Sequence, residues 1–136
     1  MTDDQFKREL VKFRNSCRVY HKEVEKLESL DKQFPALAKI EWQEGIFKVD
    51  LSEDFGNGNL ELYQLLKDDV RYVNTILDLI EEQNGPNARV LIWSLFVDNR
   101  IQVDVAEEFG LTRRQLQYSV DKWLHAAFEA YQKIAD

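Results

Sequence analysis

Along the first thirty positions apolar residues fall at Phe6, Leu10, Phe13, Cys17, Tyr20, Val24 and Leu27. The steps alternate between four and three, a period of 3.5 that only a helix can place on one side. Leu10, Cys17 and Val24 take the a sites of a heptad, and Phe6, Phe13, Tyr20 and Leu27 take the d sites. Lys7, Arg14 and His21 then fall at e, and Glu9 and Glu23 at g. A narrow seam flanked by opposite charges suits packing on another long helix, from this chain or from a second copy. We therefore expect either a helix lying along its own domain or a homodimer through the N-terminal helix. Six Lys or Arg and one acid stand between Lys7 and Lys22, which makes this helix the most basic long piece of the chain. Such a run is commonly a solvated face.

The other segments also read as helix. Only two prolines and five glycines occur in 136 residues, so few positions stop a helix. Leu62, Leu66, Val70, Val73, Leu77 and Ile80 give an amphipathic helix over 60–83, with Asn59 as its N-cap, six acids and two bases. Asn84-Gly85-Pro86 ends it, with Gly85 suited to a left-handed C′ position and Pro86 to the first turn of the next helix. Residues Val90 to Val97 are apolar nearly all round, which predicts a helix buried on most sides. Pro35 breaks the first helix. Ile40-Glu41-Trp42 and Phe47 to Leu51 then alternate about Gln43-Glu44-Gly45. That pattern predicts a small β-hairpin near 38–51, with Trp42, Phe47 and Phe55 docked on the helices because a lone hairpin is unstable.

The expected fold is thus mainly α. A coiled-coil-like helix with a hairpin and loop extension occupies 1–59, and a helical domain with a helix-turn-helix at 102–125 occupies 60–136. The formal net charge of −7 and pI near 4.9 argue against a globally basic nucleic-acid coat or a polybasic membrane binder. No run of about 18 apolar residues is present, and MTDDQFKREL has no apolar leader core. Cys17 stands alone, so no internal disulfide can form and a reducing, cytoplasmic setting is expected.

The segment from Gln102 to Leu124 has helix-turn-helix grammar. Val105, Ala106 and Phe109 form the inner face of a short helix, with Ala106 small where two backbones approach. Gly110 sits where the turn needs a positive φ, and Leu111 plugs the corner. Thr112 is an N-cap, and Leu116, Val120, Trp123 and Phe128 face inward. Arg113, Gln117 and Asp121 share one outer row, and Arg114 and Tyr118 the adjacent one. Arg and Gln near such a helix start are the side chains that read guanine and adenine edges in a major groove. The alternative is a plain helical hairpin whose solvated arginines read nothing, since this geometry also serves protein binding.

The run RVLIWSLFVDNRIQVDVAEEFGLTRRQLQYSVDKWLHAAF resembles the C-terminal helix-turn-helix of sigma-factor region four. It resembles most the phage-encoded regulators of the ArpU and RinA type, over about Tyr72 to Phe128. The resemblance implies a supporting helix and turn at 105–112 and a recognition helix from Arg113 to Lys122. It implies a phage or prophage DNA-binding transcription regulator in the host cytoplasm. Thr112, Arg113, Arg114, Gln117, Tyr118 and Lys122 are the residues expected to contact double-stranded DNA. Lys122 and Arg100, if near the DNA backbone, would change affinity evenly across sequences. Two features depart from the pattern. Ser119 stands where an apolar residue is usual, with Val120 taking the inner role. Leu111 to Asp136 holds four bases and three acids, less basic than DNA readers usually are. A second function class is therefore kept: a protein-binding module that engages a host protein such as RNA polymerase without reading DNA.

Other chemistry finds little support. Cys17 and His21 are one turn apart, but two ligands do not close a zinc site. Asp50 to Glu61 has calcium-loop spacing at positions 1, 3, 5 and 12 but places Phe55 where the sharp turn needs Gly. Asp68-Asp69, Glu81-Glu82 and Glu107-Glu108 are adjacent in helices and point apart. No phosphate-cradling glycine loop occurs. We expect no catalytic activity, no metal and no cofactor.

Overall fold

The computed structural model describes residues 1–33 and 59–135, and within them all regular structure is helical. The helices are α1 (Asp3–Gln33), α2 (Asn59–Asn84), α3 (Pro86–Ile92), α4 (Gln102–Glu108) and α5 (Arg113–Ala135), with a π-helical turn at Trp93–Val97 continuing α3. The hairpin expected near 38–51 and the calcium-like spacing at 50–61 fall outside the described residues or at their margin. None of the described helices is long and apolar enough to cross a membrane.

Helix ends follow local chemistry. Thr2 and Gln5 form a reciprocal cap at the start of α1: the Gln5 amide donates to Thr2 Oγ1 at 3.2 Å, and the Thr2 amide donates to Gln5 Oε1 at 2.8 Å. Gly85 separates α2 from α3 with φ 93° and ψ 170°. Its φ is positive as expected, but its ψ is extended, so the residue lies outside the left-handed helical region predicted for it. This conformation belongs almost only to glycine, and it lets one residue end α2 and cap α3 before Pro86.

The seam of α1 packs inside its own chain. Phe13 and Cys17 are fully buried in one core with Val73, Ile76, Leu77 and Ile80 of α2, Leu91 and Ile92 of α3, Val105 and Ala106 of α4, and Leu116, Leu124 and Phe128 of α5. The described part of the 1–59 segment is therefore packed into the same core as 60–136. A homodimer through these seam residues would require α1 to leave its own bundle. The Phe13 ring joins the layers, with ring centroids 5.4 Å from Phe96, 5.8 Å from Phe128 and 6.4 Å from Tyr72.

The apolar run after α3 departs from expectation. Val90 is half exposed, and Trp93, Leu95 and Phe96 are only partly covered. Ser94 donates from Oγ back to the Val90 carbonyl at 2.8 Å, and the Asp98 amide reaches five residues back to the Trp93 carbonyl at 3.0 Å. The π turn adds a residue to the helical cycle. Leu95 and Phe96 are half-buried: both pack against the core, Phe96 on the Phe13 ring, and both line a groove.

Polar groups between α1 and α2 are also placed by packing. Ser16 Oγ donates to Asp69 Oδ1 at 2.5 Å, and Tyr20 donates to Asn74 Oδ1 at 3.0 Å. Burial first, and then the hydrogen bond and charge of Asp69, push the Glu23 carboxyl from 4.5 up to about 8, with Lys26 opposing. When ionised, its buried Oε2 has no hydrogen-bond partner among the described residues; protonated, it can donate to Asp69. Between pH 4.5 and about 8 the folded chain holds a proton that the unfolded chain has lost, so this group makes stability fall as pH rises through that window. We expect the melting temperature to drop from pH 5 to pH 9 and Glu23→Gln to flatten the drop. Glu23→Gln should melt above the native protein at pH 9. Parallel pH profiles for the two proteins would disprove the assignment.

Candidate functional site

The turn between α4 and α5 is built from backbone hydrogen bonds. The Leu111 amide donates to the Ala106 carbonyl at 2.8 Å, and the Gly110 amide to the Glu107 carbonyl at 3.1 Å, with Gly110 at φ 69°. This pair of bonds is the Schellman ending of a helix, and it requires the left-handed conformation at Gly110. One residue later a reciprocal cap opens α5: the Gln115 amide donates to Thr112 Oγ1 at 3.1 Å, and the Thr112 amide to Gln115 Oε1 at 2.9 Å. Thr112 was expected as the N-cap; Gln115 was not singled out, although its spacing of three is the signature of such a box. The amides of Arg113 and Arg114 stay available at the positive end of the helix dipole.

On α5, Leu116, Val120, Leu124, Ala127 and Phe128 are buried and Trp123 is half-buried, so the inner face is close to the expected one with Leu124 and Ala127 added. Ser119 is half-buried beside the buried Val120. Thr112, Arg113, Arg114, Gln117, Tyr118 and Lys122 are all exposed, Tyr118 by 69%. Helical spacing puts Arg113, Gln117 and Asp121 in one row and Arg114, Tyr118 and Lys122 in the next. Gln117 Nε2 donates to Asp121 Oδ1 at 3.5 Å. Neither Arg113 nor Arg114 has a carboxylate within ion-pair distance among the described residues. Arg100 is instead paired with Glu108 of α4 at 2.7 Å.

A groove of about 520 Å³ runs between α1 and α5. Arg14 and Arg18 of α1 line it on one side, Gln117 and Asp121 of α5 on the other, and Phe96 of the π turn also lines it. The Arg14 guanidinium lies 5.8 Å from the Phe96 ring centroid. Sequence reasoning did not include Arg14 or Arg18 in the site; the six-to-one excess of bases between Lys7 and Lys22 was the available signal.

Cys17 and His21 do not line this groove. Cys17 is buried, and burial together with the Asp69 charge pushes its thiol up to about 12, so it is a core residue rather than a nucleophile. His21 sits at the surface, 3.2 Å from Asp98 and edge-on to Trp93. Among the described residues, no three His, Cys, Asp or Glu side chains are gathered as metal ligands. Comparison with family models, with curated proteins and with solved structures finds no match.

Proposed function

We propose that the chain binds double-stranded DNA through the first half of α5, as a helix-turn-helix transcription regulator of the sigma-region-four-like kind. One observation carries this reading. A capped helix start presents two exposed rows in which Arg113 and Arg114 have no acidic partner among the described residues and are followed one turn later by Gln117 and Tyr118. Arginine paired bidentately with guanine and glutamine with adenine are the contacts such rows can make. The free amides at the helix start suit a phosphate.

Selection from random duplexes tests the reading. A preferred sequence should be enriched, and Arg113→Ala with Arg114→Ala should lose that preference. Each bidentate arginine is worth roughly 1–3 kcal/mol of discrimination, so the loss should be tenfold or more. Failure to enrich any sequence, or equal binding of the enriched site by the double variant, would sink the proposal. A protein partner such as RNA polymerase would then lead, a reading favoured by the net charge of −7.

A further inference from the structure

We infer that the exposed basic row of α1 is a second DNA contact, one that grips the phosphate backbone beside the helix that reads bases. This rests on the DNA reading above and extends it to a part of the chain more than eighty residues away in sequence. Arg14 and Arg18 stand one helical turn apart on the same face and line the groove whose other wall carries Gln117. Lys7 and Lys22 are exposed and continue the row in both directions. From Lys7 to Lys22 the row rises about 22 Å at 1.5 Å per residue. Phosphates on one strand of B-DNA rise about 3.4 Å each, so the row is long enough to meet several.

The charge pattern favours a polyanion over a mixed protein surface. Glu9 is the only acid between Lys7 and Lys22. Its carboxylate accepts a hydrogen bond from the Tyr72 hydroxyl at 2.9 Å, toward α2 and away from the groove. In the groove itself three arginines stand against one carboxylate, that of Asp121, which accepts from the Gln117 amide and keeps its charge. Of the arginines, Arg100 is engaged by Glu108. Arg14 and Arg18 have no carboxylate within ion-pair distance among the described residues. They are therefore the cations in the groove available to an incoming anion. The Arg14 guanidinium lies over the Phe96 ring at 5.8 Å, a cation–π contact at the groove that leaves its N–H donors available. Bases are not within the role of this row: its cations lie on a helix other than the one proposed to enter the groove of the DNA.

The test is salt dependence measured by fluorescence anisotropy, on a random-sequence duplex and on the selected duplex. Each phosphate contact contributes about 0.9 to the slope of log affinity against log salt. Arg14→Ala with Arg18→Ala should make the slope shallower by about 1.8 and weaken binding by the same factor on both duplexes. Arg14→Lys with Arg18→Lys keeps the charge and should keep the slope. An unchanged slope in the alanine variant, a loss confined to the selected duplex, or an equal loss in the lysine variant would each overturn the clamp while leaving the α5 reading intact. A native protein that binds neither duplex would overturn the DNA reading itself.

Discussion

Phe13→Ala is expected to cost about 3–5 kcal/mol of folding stability, the range for removing a large aromatic side chain from a packed interior. Phe13 is fully buried, and its ring meets Tyr72 of α2, Phe96 of the π turn and Phe128 of α5. No single movement of one neighbour can fill the space left behind, because the three partners belong to three elements held by other contacts. The cavity term therefore stays large, and lost edge-to-face contacts add to it. Urea unfolding should show a lower midpoint with an unchanged slope. Val11→Ala, on an exposed part of the same helix, should change stability by no more than about 0.5 kcal/mol. A loss below about 1 kcal/mol for Phe13→Ala would show that α1 is not anchored at this ring. Because Phe96 lines the groove and packs on Phe13, the same substitution should also loosen the side that carries Arg14.

Gly110→Val should be the costliest substitution at the α4–α5 turn, at roughly 1–3 kcal/mol, because a β-branched residue resists positive φ. A Cβ built at Gly110 would meet nothing within 4 Å, so crowding contributes nothing and the penalty comes from φ alone. That separates three variants: Val should lose most, Ala less, and Asn least, since asparagine tolerates the left-handed region. Gly85 provides the contrast. Its Cβ would also meet open space, but its ψ of 170° lies where asparagine gains nothing, so Gly85→Asn should be as harmful as Gly85→Ala. Thermal melts of the five variants decide it. Equal losses for Val, Ala and Asn at Gly110 would mean that the backbone conformation is not what holds glycine there.

The helices and several of their ends were legible because their causes are local. The alternation of Phe6, Leu10, Phe13 and Cys17 marks a helix face without reference to any other segment. Thr112 at a helix start, Gly110 just past a helix end and Pro86 in a first turn act within five residues, through bonds such as Leu111 to Ala106. The outer rows of α5 follow from the same periodicity, which sets Arg113, Arg114, Gln117, Tyr118 and Lys122 at the surface. The run at 90–97 is apolar nearly all round and so marks no face of its own; packing alone buries Leu91, Ile92 and Val97 and leaves Val90 exposed. The Ser94 back-bond and the π turn lie within this run, where Leu95 and Phe96 pack against the core and also line the groove.

By itself, then, the sequence determined where the described helices run, most of the apolar face of α1 and α5, and where the α4–α5 turn falls. Each of these depends on residues a few positions apart. On α2, by contrast, packing buries Tyr63, Tyr72 and Ile76 and leaves the expected Leu62 exposed. Tertiary structure alone decided what the α1 seam meets: a periodic stripe specifies a face but not its partner, and the choice between a second copy and the chain's own α2 and α5 is made by the fit of the whole bundle. It also decided that burial and Asp69 raise the Glu23 carboxyl and that Arg14 and Arg18 share a groove with Gln117. Those pairings join residues dozens of positions apart, as Ser16 and Asp69 are separated by 53. Desolvation and charge proximity come into being only when such residues are brought together, so no local pattern encodes them.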